Sequence, residues 1–204
     1  MGPTNPSSRK PWSHKEETTV PFFFQPTSIE QLTLITPLFL PDSRGYLAKT
    51  FESGLFASQG ISFTLAEELE SKSCRNTLRG LHFQRSHSQD KLVRVLSGEV
   101  FDVAVDLRPD SPTFGRWQGF RLSGENRRML YLPKDFAHGF LVLSQEAVLH
   151  YLCGDRYDPD SESGILWNDP GLAIHWPLSG APILSQRDQG FQSFAAFRRG
   201  LEPP

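Results

Sequence analysis

The sequence predicts an all-β domain, a sandwich or barrel, on three observations. Short apolar runs recur between turn signals at regular spacing from about residue 33 to residue 153. Sixteen glycines and sixteen prolines in 204 residues punctuate the chain too often for long helices. The stretch from Glu99 to Leu107 alternates with period two, the spacing at which successive side chains leave opposite faces of a strand. A formal charge of −2 and 38% hydrophobic residues exclude both a strongly basic nucleic-acid binder and an acidic disordered chain.

Residues 1–27 hold Pro3, Pro6, Pro11, Pro21 and Pro26 among Ser, Thr, Lys and Glu. Such a composition buries too little apolar surface to offset the entropy of ordering, so it reads as a flexible extension ahead of one domain over residues 28–204. Its apolar cluster, Phe22, Phe23 and Phe24, reads as an edge of the domain or a contact with a neighbouring subunit. The cluster follows Pro21 and is too short for a secretory signal, and no stretch is long enough to span a membrane.

Thr33 to Leu40, interrupted by Pro37 and ended by Pro41-Asp42, reads as an edge strand and a turn. Gly45 to Phe51 alternates weakly, and Leu55 to Gln59 reads as a short helix before Gly60. Leu92 to Leu96, Ser97-Gly98 and Glu99 to Leu107 together read as a β-hairpin. Its second strand carries Phe101, Val103, Val105 and Leu107 on one face and Val100, Asp102, Ala104 and Asp106 on the other. Further strands are expected at Trp117 to Leu122, Arg128 to Leu132, Gly139 to Leu143 and Val148 to Cys153. Phe191, Phe194 and Phe197, three residues apart within Gln189 to Arg199, fit a short amphipathic helix packed on the core. Cys74 and Cys153 are too few for a disulfide framework and lack metal-site spacing, which points to free thiols in a reducing, cytoplasmic compartment.

Alternation in Leu81-His82-Phe83-Gln84 puts His82 and Gln84 on one face and Leu81 and Phe83 on the other. A strand histidine taken alone is more often structural than catalytic. Arg79, Lys91 and Arg94 nearby shift the weight toward an anionic ligand, and His138 is a second candidate for either role. A metal site is not expected, because Phe83 and Gln84 follow His82 where a His-x-His pair would be needed and no suitably spaced Glu completes a ligand set. No organic cofactor is expected either.

The run Thr77-Leu78-Arg79-Gly80-Leu81-His82-Phe83-Gln84 resembles the dTDP-4-dehydrorhamnose 3,5-epimerases, sugar-nucleotide epimerases of the cupin type. The resemblance continues in order through most of residues 34–188. It is carried by Asp42-Ser43-Arg44-Gly45, Gln89-Asp90-Lys91-Leu92-Val93-Arg94-Val95 and Gly98-Glu99-Val100-Phe101-Asp102-Val103-Ala104-Val105-Asp106. Ser111-Pro112-Thr113-Phe114-Gly115, Phe136-Ala137-His138-Gly139-Phe140, Trp167-Asn168-Asp169-Pro170 and Leu184-Ser185-Gln186-Arg187-Asp188 complete it.

What the resemblance implies is a double-stranded β-helix, or jelly roll, that forms a homodimer with an exchanged N-terminal strand and acts on a sugar attached to thymidine diphosphate. It implies proton abstraction at C3 and C5, next to a C4 ketone, converting dTDP-4-dehydro-6-deoxy-D-glucose to dTDP-4-dehydro-L-rhamnose. By position His82 resembles the general base, Asp188 the carboxylate that orients it, Lys91 the cation facing the developing enolate, and Tyr151 the acid on the opposite face. Arg44 and Arg79 match positions that hold diphosphate or sugar, Tyr46 and Tyr157 positions near the base, and Gln84 and His138 positions lining the site. Two segments depart from the family's pattern: Lys49 stands where Glu is usual, and Glu67-Glu68-Leu69 stands where Gln-x-Asn is usual. The alternatives are an epimerase acting at C3 or C5 only and a sugar-nucleotide-binding cupin without turnover.

Overall fold

Strands from neighbouring stretches of chain pass back and forth between two sheets, and that crossing builds the fold. The computed structural model describes residues 21–201. Its elements in order are β1 (Phe22–Pro26), β2 (Thr33–Pro37), β3 (Phe39–Asp42), β4 (Gly45–Ala48), α1 (Ser53–Ser58), β5 (Glu67–Cys74), β6 (Leu78–Gln84), β7 (Lys91–Ser97) and β8 (Glu99–Asp106). There follow β9 (Trp117–Ser123), β10 (Met129–Leu132), β11 (Phe136–Val142), β12 (Glu146–Cys153), β13 (Glu162–Gly164), α2 (Gln186–Gln189) and α3 (Phe194–Arg199). One sheet runs β1-β2-β10-β7-β12-β5, the other β13-β6-β11-β8-β9, and β3-β4 form a separate hairpin. The pairings within the sheets are antiparallel, and from β5 to β13 the chain repeatedly changes sheet. This is a jelly roll of the cupin kind.

The expected hairpin over residues 92–107 is corrected here: β7 and β8 lie in different sheets. A single residue, Gly98, separates them, too short a link to reverse the chain within one sheet. Gly98 has φ +78°, and a Cβ there would meet Glu146 O at 2.1 Å, so the corner requires glycine. The two faces assigned to β8 hold nonetheless. Val100 and Ala104 enter the core between the sheets with Val93, Leu130, Phe140 and Leu149, while Val103, Val105 and Leu107 pack outward against Leu81, Ile165 and Trp176. Each sheet is also covered on its outer face. The C-terminal segment lies over the five-stranded sheet, and Phe51, Leu55, Phe56, Ile61 and Phe63 cover Leu92, Met129 and Tyr131 of the six-stranded one. Burial on both faces explains why β11 is buried at every position and reads as a nearly continuous apolar run.

Three other expectations change. The extension expected over residues 1–27 ends earlier: Phe22–Pro26 is strand β1, at the edge of a sheet as the Phe22–Phe24 cluster suggests, and Phe22 is 3% exposed because it packs against Phe56; residues 1–20 of that extension lie outside the described residues. Thr33 to Leu40 is not one edge strand. Pro37 ends β2, which lies inside the sheet because β1 pairs along its outer side, and β3 belongs to the hairpin. The C-terminal helix is shorter than Gln189 to Arg199: Ser193 caps α3 through Ala196 N–H, and Phe191 lies outside it. β5, over the polar stretch Glu67–Cys74, is a strand absent from those expected.

A buried carboxylate secures the turn after β8. Asp106 is fully buried and accepts from Arg108 Nη2 at 2.7 Å, Ser111 Oγ at 2.6 Å and Thr113 Oγ1 at 2.7 Å. Burial pushes this carboxyl up, but the donors of Arg108, Ser111 and Thr113 outweigh it and bring it to about 2. A depressed carboxyl contributes stability that is present above its ordinary range and lost as pH falls through the folded value. Asp106→Asn is therefore expected to cost on the order of 2 kcal/mol at neutral pH, with the difference from wild type closing between about pH 4 and pH 2. Denaturant unfolding across that range measures it.

Candidate active site

The cleft between the sheets takes its walls from both of them. From the five-stranded sheet come Arg79, His82 and Gln84 of β6, His138 and Phe140 of β11 and Glu162 of β13; from the six-stranded sheet come Leu69 of β5, Lys91 of β7, and Tyr151 and Cys153 of β12. Its volume is about 190 Å3. A larger hollow of about 440 Å3 beside α3 brings no histidine, lysine or tyrosine together.

His82 and His138 are cross-strand partners on β6 and β11. The two strands approach closely where Gly80 meets Gly139. A Cβ on Gly80, whose φ is +125°, would meet Gly139 Cα at 2.5 Å and His138 O at 2.7 Å. Each histidine has its own carboxylate. His82 Nε2 is 2.9 Å from Asp188 Oδ1, and His138 Nε2 is 2.9 Å from Asp102 Oδ2. Asp188 is 2% exposed and sits on α2, where its N–H donates to Ser185 Oγ at 3.0 Å; its Oδ2 accepts the Gly80 N–H at 3.2 Å. Burial alone would raise the Asp188 carboxyl. The hydrogen bond and charge of His82, the Gly80 N–H and Ser185 together leave it below its ordinary value. An ionised carboxylate can only accept, so Nε2 of His82 carries a proton, and Nδ1 is the nitrogen left basic in the neutral ring. The ring of Phe191 stands edge-on to His82, with centroids 5.5 Å apart.

Across the cleft, the Tyr151 hydroxyl is 3.2 Å from Ser71 Oγ, and its ring is edge-on to His138. Burial drives this phenol well above its ordinary range, so it keeps its proton at neutral pH. Arg79 Nε donates to Ser73 Oγ at 3.0 Å. Ser71 and Ser73 share one face of β5, and each holds one cleft side chain. Lys91 has no carboxylate within ion-pair distance among the described residues. Burial lowers its ammonium, opposed by Cys153, Glu162, Asp102 and Glu67.

His82, Lys91, Tyr151, Arg79, Gln84, His138 and Tyr157 all line the cleft, and Asp188 stands behind His82. Gln84 is occupied otherwise than expected: its Nε2 donates to His87 O at 2.7 Å and its Oε1 accepts from Asp158 N–H at 2.9 Å, clamping the loop that carries Tyr157. Arg44 and Tyr46 are not in this cleft. Both lie on the exposed β3-β4 hairpin, where Arg44 pairs with Asp42 at 2.6 Å and Tyr46 packs on Phe39. Lys49 also faces solvent, paired with Glu52 at 2.6 Å. Leu69 stands half-exposed at the rim, and Glu67 accepts the Tyr157 N–H at 2.7 Å. Ser71, Ser73 and Glu162 were missed as site residues; period-two reading of Glu67-x-Leu69-x-Ser71-x-Ser73 was the available signal.

A histidine–carboxylate pair on one wall and a protonated phenol with a cation on the other fit an enzyme of proton transfer built in a jelly roll. The sequence model of the dTDP-4-dehydrorhamnose 3,5-epimerase family matches residues 26–196. The chain belongs to that family, and the class is isomerase. It is 47% identical over 173 residues to the dTDP-4-dehydrorhamnose 3,5-epimerase of Methanothermobacter thermautotrophicus, covering 84% of this chain and 94% of the relative. The Escherichia coli protein of the same name is 46% identical over 165 residues, 80% of this chain and 89% of its own. Among solved structures, the Legionella pneumophila dTDP-6-deoxy-D-glucose-3,5-epimerase, in complex with dTDP-4-keto-L-rhamnose, superposes with a TM-score of 0.86 at 44% identity, over 89% of this chain and 97% of that one. A 3'-monoepimerase of Streptomyces bikiniensis, in complex with dTDP-quinovose, gives 0.81 at 35% identity, over 88% and 92%.

Gly80→Ala tests the close approach that positions both histidines. A forced positive φ together with backbone overlap is expected to cost about 3 kcal/mol, read as a lowered melting temperature.

Proposed function

We propose that the protein inverts C3 and C5 of dTDP-4-dehydro-6-deoxy-D-glucose, giving dTDP-4-dehydro-L-rhamnose, in the cytoplasm. The observation that carries this reading is that His82 and Tyr151 stand on opposite walls of one cleft. The C4 ketone acidifies the hydrogens on its two neighbouring carbons. His82 removes one of them as a general base, and Asp188 stabilises the imidazolium that forms. Negative charge then develops on the ketone oxygen, where the Lys91 cation, with no ion pair among the described residues, is most effective in a poorly solvated cleft. Tyr151 returns a proton from the other face, which is what inversion requires. Its high proton affinity suits an acid that must hold its proton until a carbanion-like centre is present. Arg79 and Tyr157, which line the same cleft, would serve the diphosphate and the base.

The remaining contacts call for a second copy. Arg44 and Tyr46 are remote from the cleft of their own chain, on a hairpin that exposes Leu40, Tyr46 and Leu47 by half or more. The chain forms a homodimer by exchange at its N-terminal strand: β1 is an edge strand whose one strand partner among the described residues is β2, and it exposes Phe23 at 65%. The hairpin then supplies Arg44 and Tyr46 to the other copy's nucleotide.

Proton NMR of the protein with dTDP-4-keto-6-deoxyglucose in deuterium oxide follows C3 and C5 separately. Both signals should be lost with the wild-type protein; loss of one alone would make it a single-centre epimerase, and binding without loss a non-catalytic cupin. His82→Asn is expected to slow exchange on the order of a thousandfold.

Sedimentation should show a dimer. Mixing inactive His82→Asn with inactive Arg44→Ala under conditions of subunit exchange should restore activity, because mixed dimers then hold one intact site. A monomer, or no recovery on mixing, would remove Arg44 from the site.

A further inference from the structure

Glu162, on β13 and with its side chain 14% exposed, holds two groups through one oxygen: the Tyr157 hydroxyl donates to its Oε2, and Arg187 Nη1 pairs with the same atom. Arg187 precedes Asp188 in α2, and its Nε lies 4.0 Å from Asp188 Oδ1. That is the oxygen on which His82 Nε2 rests at 2.9 Å. A guanidinium free to close on this oxygen would share the carboxylate with the imidazole and weaken the attraction that favours protonated His82.

We propose that Glu162 is a positioning residue that holds Arg187 off Asp188, reserving the carboxylate for His82 and so setting the pH range over which His82 works as a base. The proposal rests on the reading of His82 and Asp188 as the base pair, but its electrostatic part can be measured without turnover. The other charged or titratable groups around the pair are Arg79 of β6, Lys91 of β7, His138 of β11 with Asp102 of β8 behind it, Tyr151 and Cys153 of β12, Glu67 of β5 and Tyr157. None of them is substituted, and the loss of the Glu162 charge beside Lys91 and Tyr157 is common to the single and double variants compared below.

Glu162→Gln keeps an oxygen acceptor for Tyr157 and removes the charge that restrains Arg187; it also removes one of the charges that support the Lys91 ammonium, a loss that the double variant below shares. The His82 Cε1–H resonance, assigned by its absence in His82→Asn, is expected to titrate at lower pH in Glu162→Gln than in wild type. The acid limb of C3 and C5 exchange should move the same way, with plateau kcat about threefold lower and KM changed less. In Glu162→Gln/Arg187→Gln the competing cation is gone, and both the resonance and the exchange profile should return toward wild type. A purely structural role for Glu162 would leave the double variant as impaired as the single one. An unmoved resonance in Glu162→Gln, or a double variant that stays with the single, would overturn the proposal. A resonance that moves while the exchange profile does not would instead overturn the assignment of His82 as the base.

Discussion

The buried carboxylate of Asp188 is the constraint around which the site is arranged. A carboxylate with 2% exposure stays ionised only if its surroundings replace the water it has lost, and an unpaired one would cost several kcal/mol. Here an imidazole on one oxygen, a backbone N–H on the other and the Ser185 cap at the start of its own short helix do so. Each demand fixes something else. The Gly80 N–H reaches Asp188 from a strand that can come so close to β11 only because position 80 has no side chain. The imidazole must lie on the face of β6 that points between the sheets, which sends Leu81 and Phe83 to the outer core. The helical turn bearing Asp188 also brings Arg187, a cation beside the charge that His82 needs, and Glu162 occupies that cation.

The second arrangement, His138 with Asp102, is built the same way on the neighbouring strands, and both of its members are buried. It lies in register with His82 and edge-on to Tyr151, between the two proposed proton carriers rather than at either. Its place is explained by the sheet crossing. β6, β11 and β8 are adjacent in one sheet, so His82, His138 and Asp102 form a polar row across it, while Tyr151 and Lys91 descend from the other sheet. A jelly roll that changes sheet at successive strands gives a reaction plane two independently fixed walls. Inversion needs that, because base and acid must act from opposite sides.

What was legible in the sequence was whatever depends on local alternation. The faces of β8 and the placing of His82 and Gln84 on the face opposite Leu81 and Phe83 follow from period two alone, though which face is inward does not, and the strands at β9, β10, β11 and β12 fall within a few residues of their expected bounds. What was not legible depends on long-range placement. Gly98 looks like a hairpin turn, and only the distant strand partners of β7 and β8 reveal a corner between sheets. β5 carries Glu and Lys on its outward face, which meets solvent, and Ser71 and Ser73 on its cleft face, so it resembles a loop until β12 is seen beside it. Asp188 lies 106 residues from His82 in sequence, and their pairing rested on the family resemblance rather than on any pattern in the residues.

The positions that depart from the family's pattern lie on the exposed hairpin side and at the cleft rim, not among the four residues proposed to handle protons. Lys49 is tied to Glu52 on the exposed side, and Leu69 adds apolar surface at the cleft mouth where an amide is usual. Glu67 remains a hydrogen-bond acceptor, but its partner is the backbone of Tyr157, and its other oxygen is buried without a partner among the described residues. An unsatisfied buried carboxylate oxygen has a free-energy cost that a ligand donor can relieve. On the proposed reading these substitutions bear on how the nucleotide is gripped rather than on proton transfer, since His82, Asp188 and Tyr151 are held by contacts that none of the three residues makes. Differences from relatives are accordingly expected in KM before kcat, and in the identity of the sugar nucleotide before the identity of the reaction.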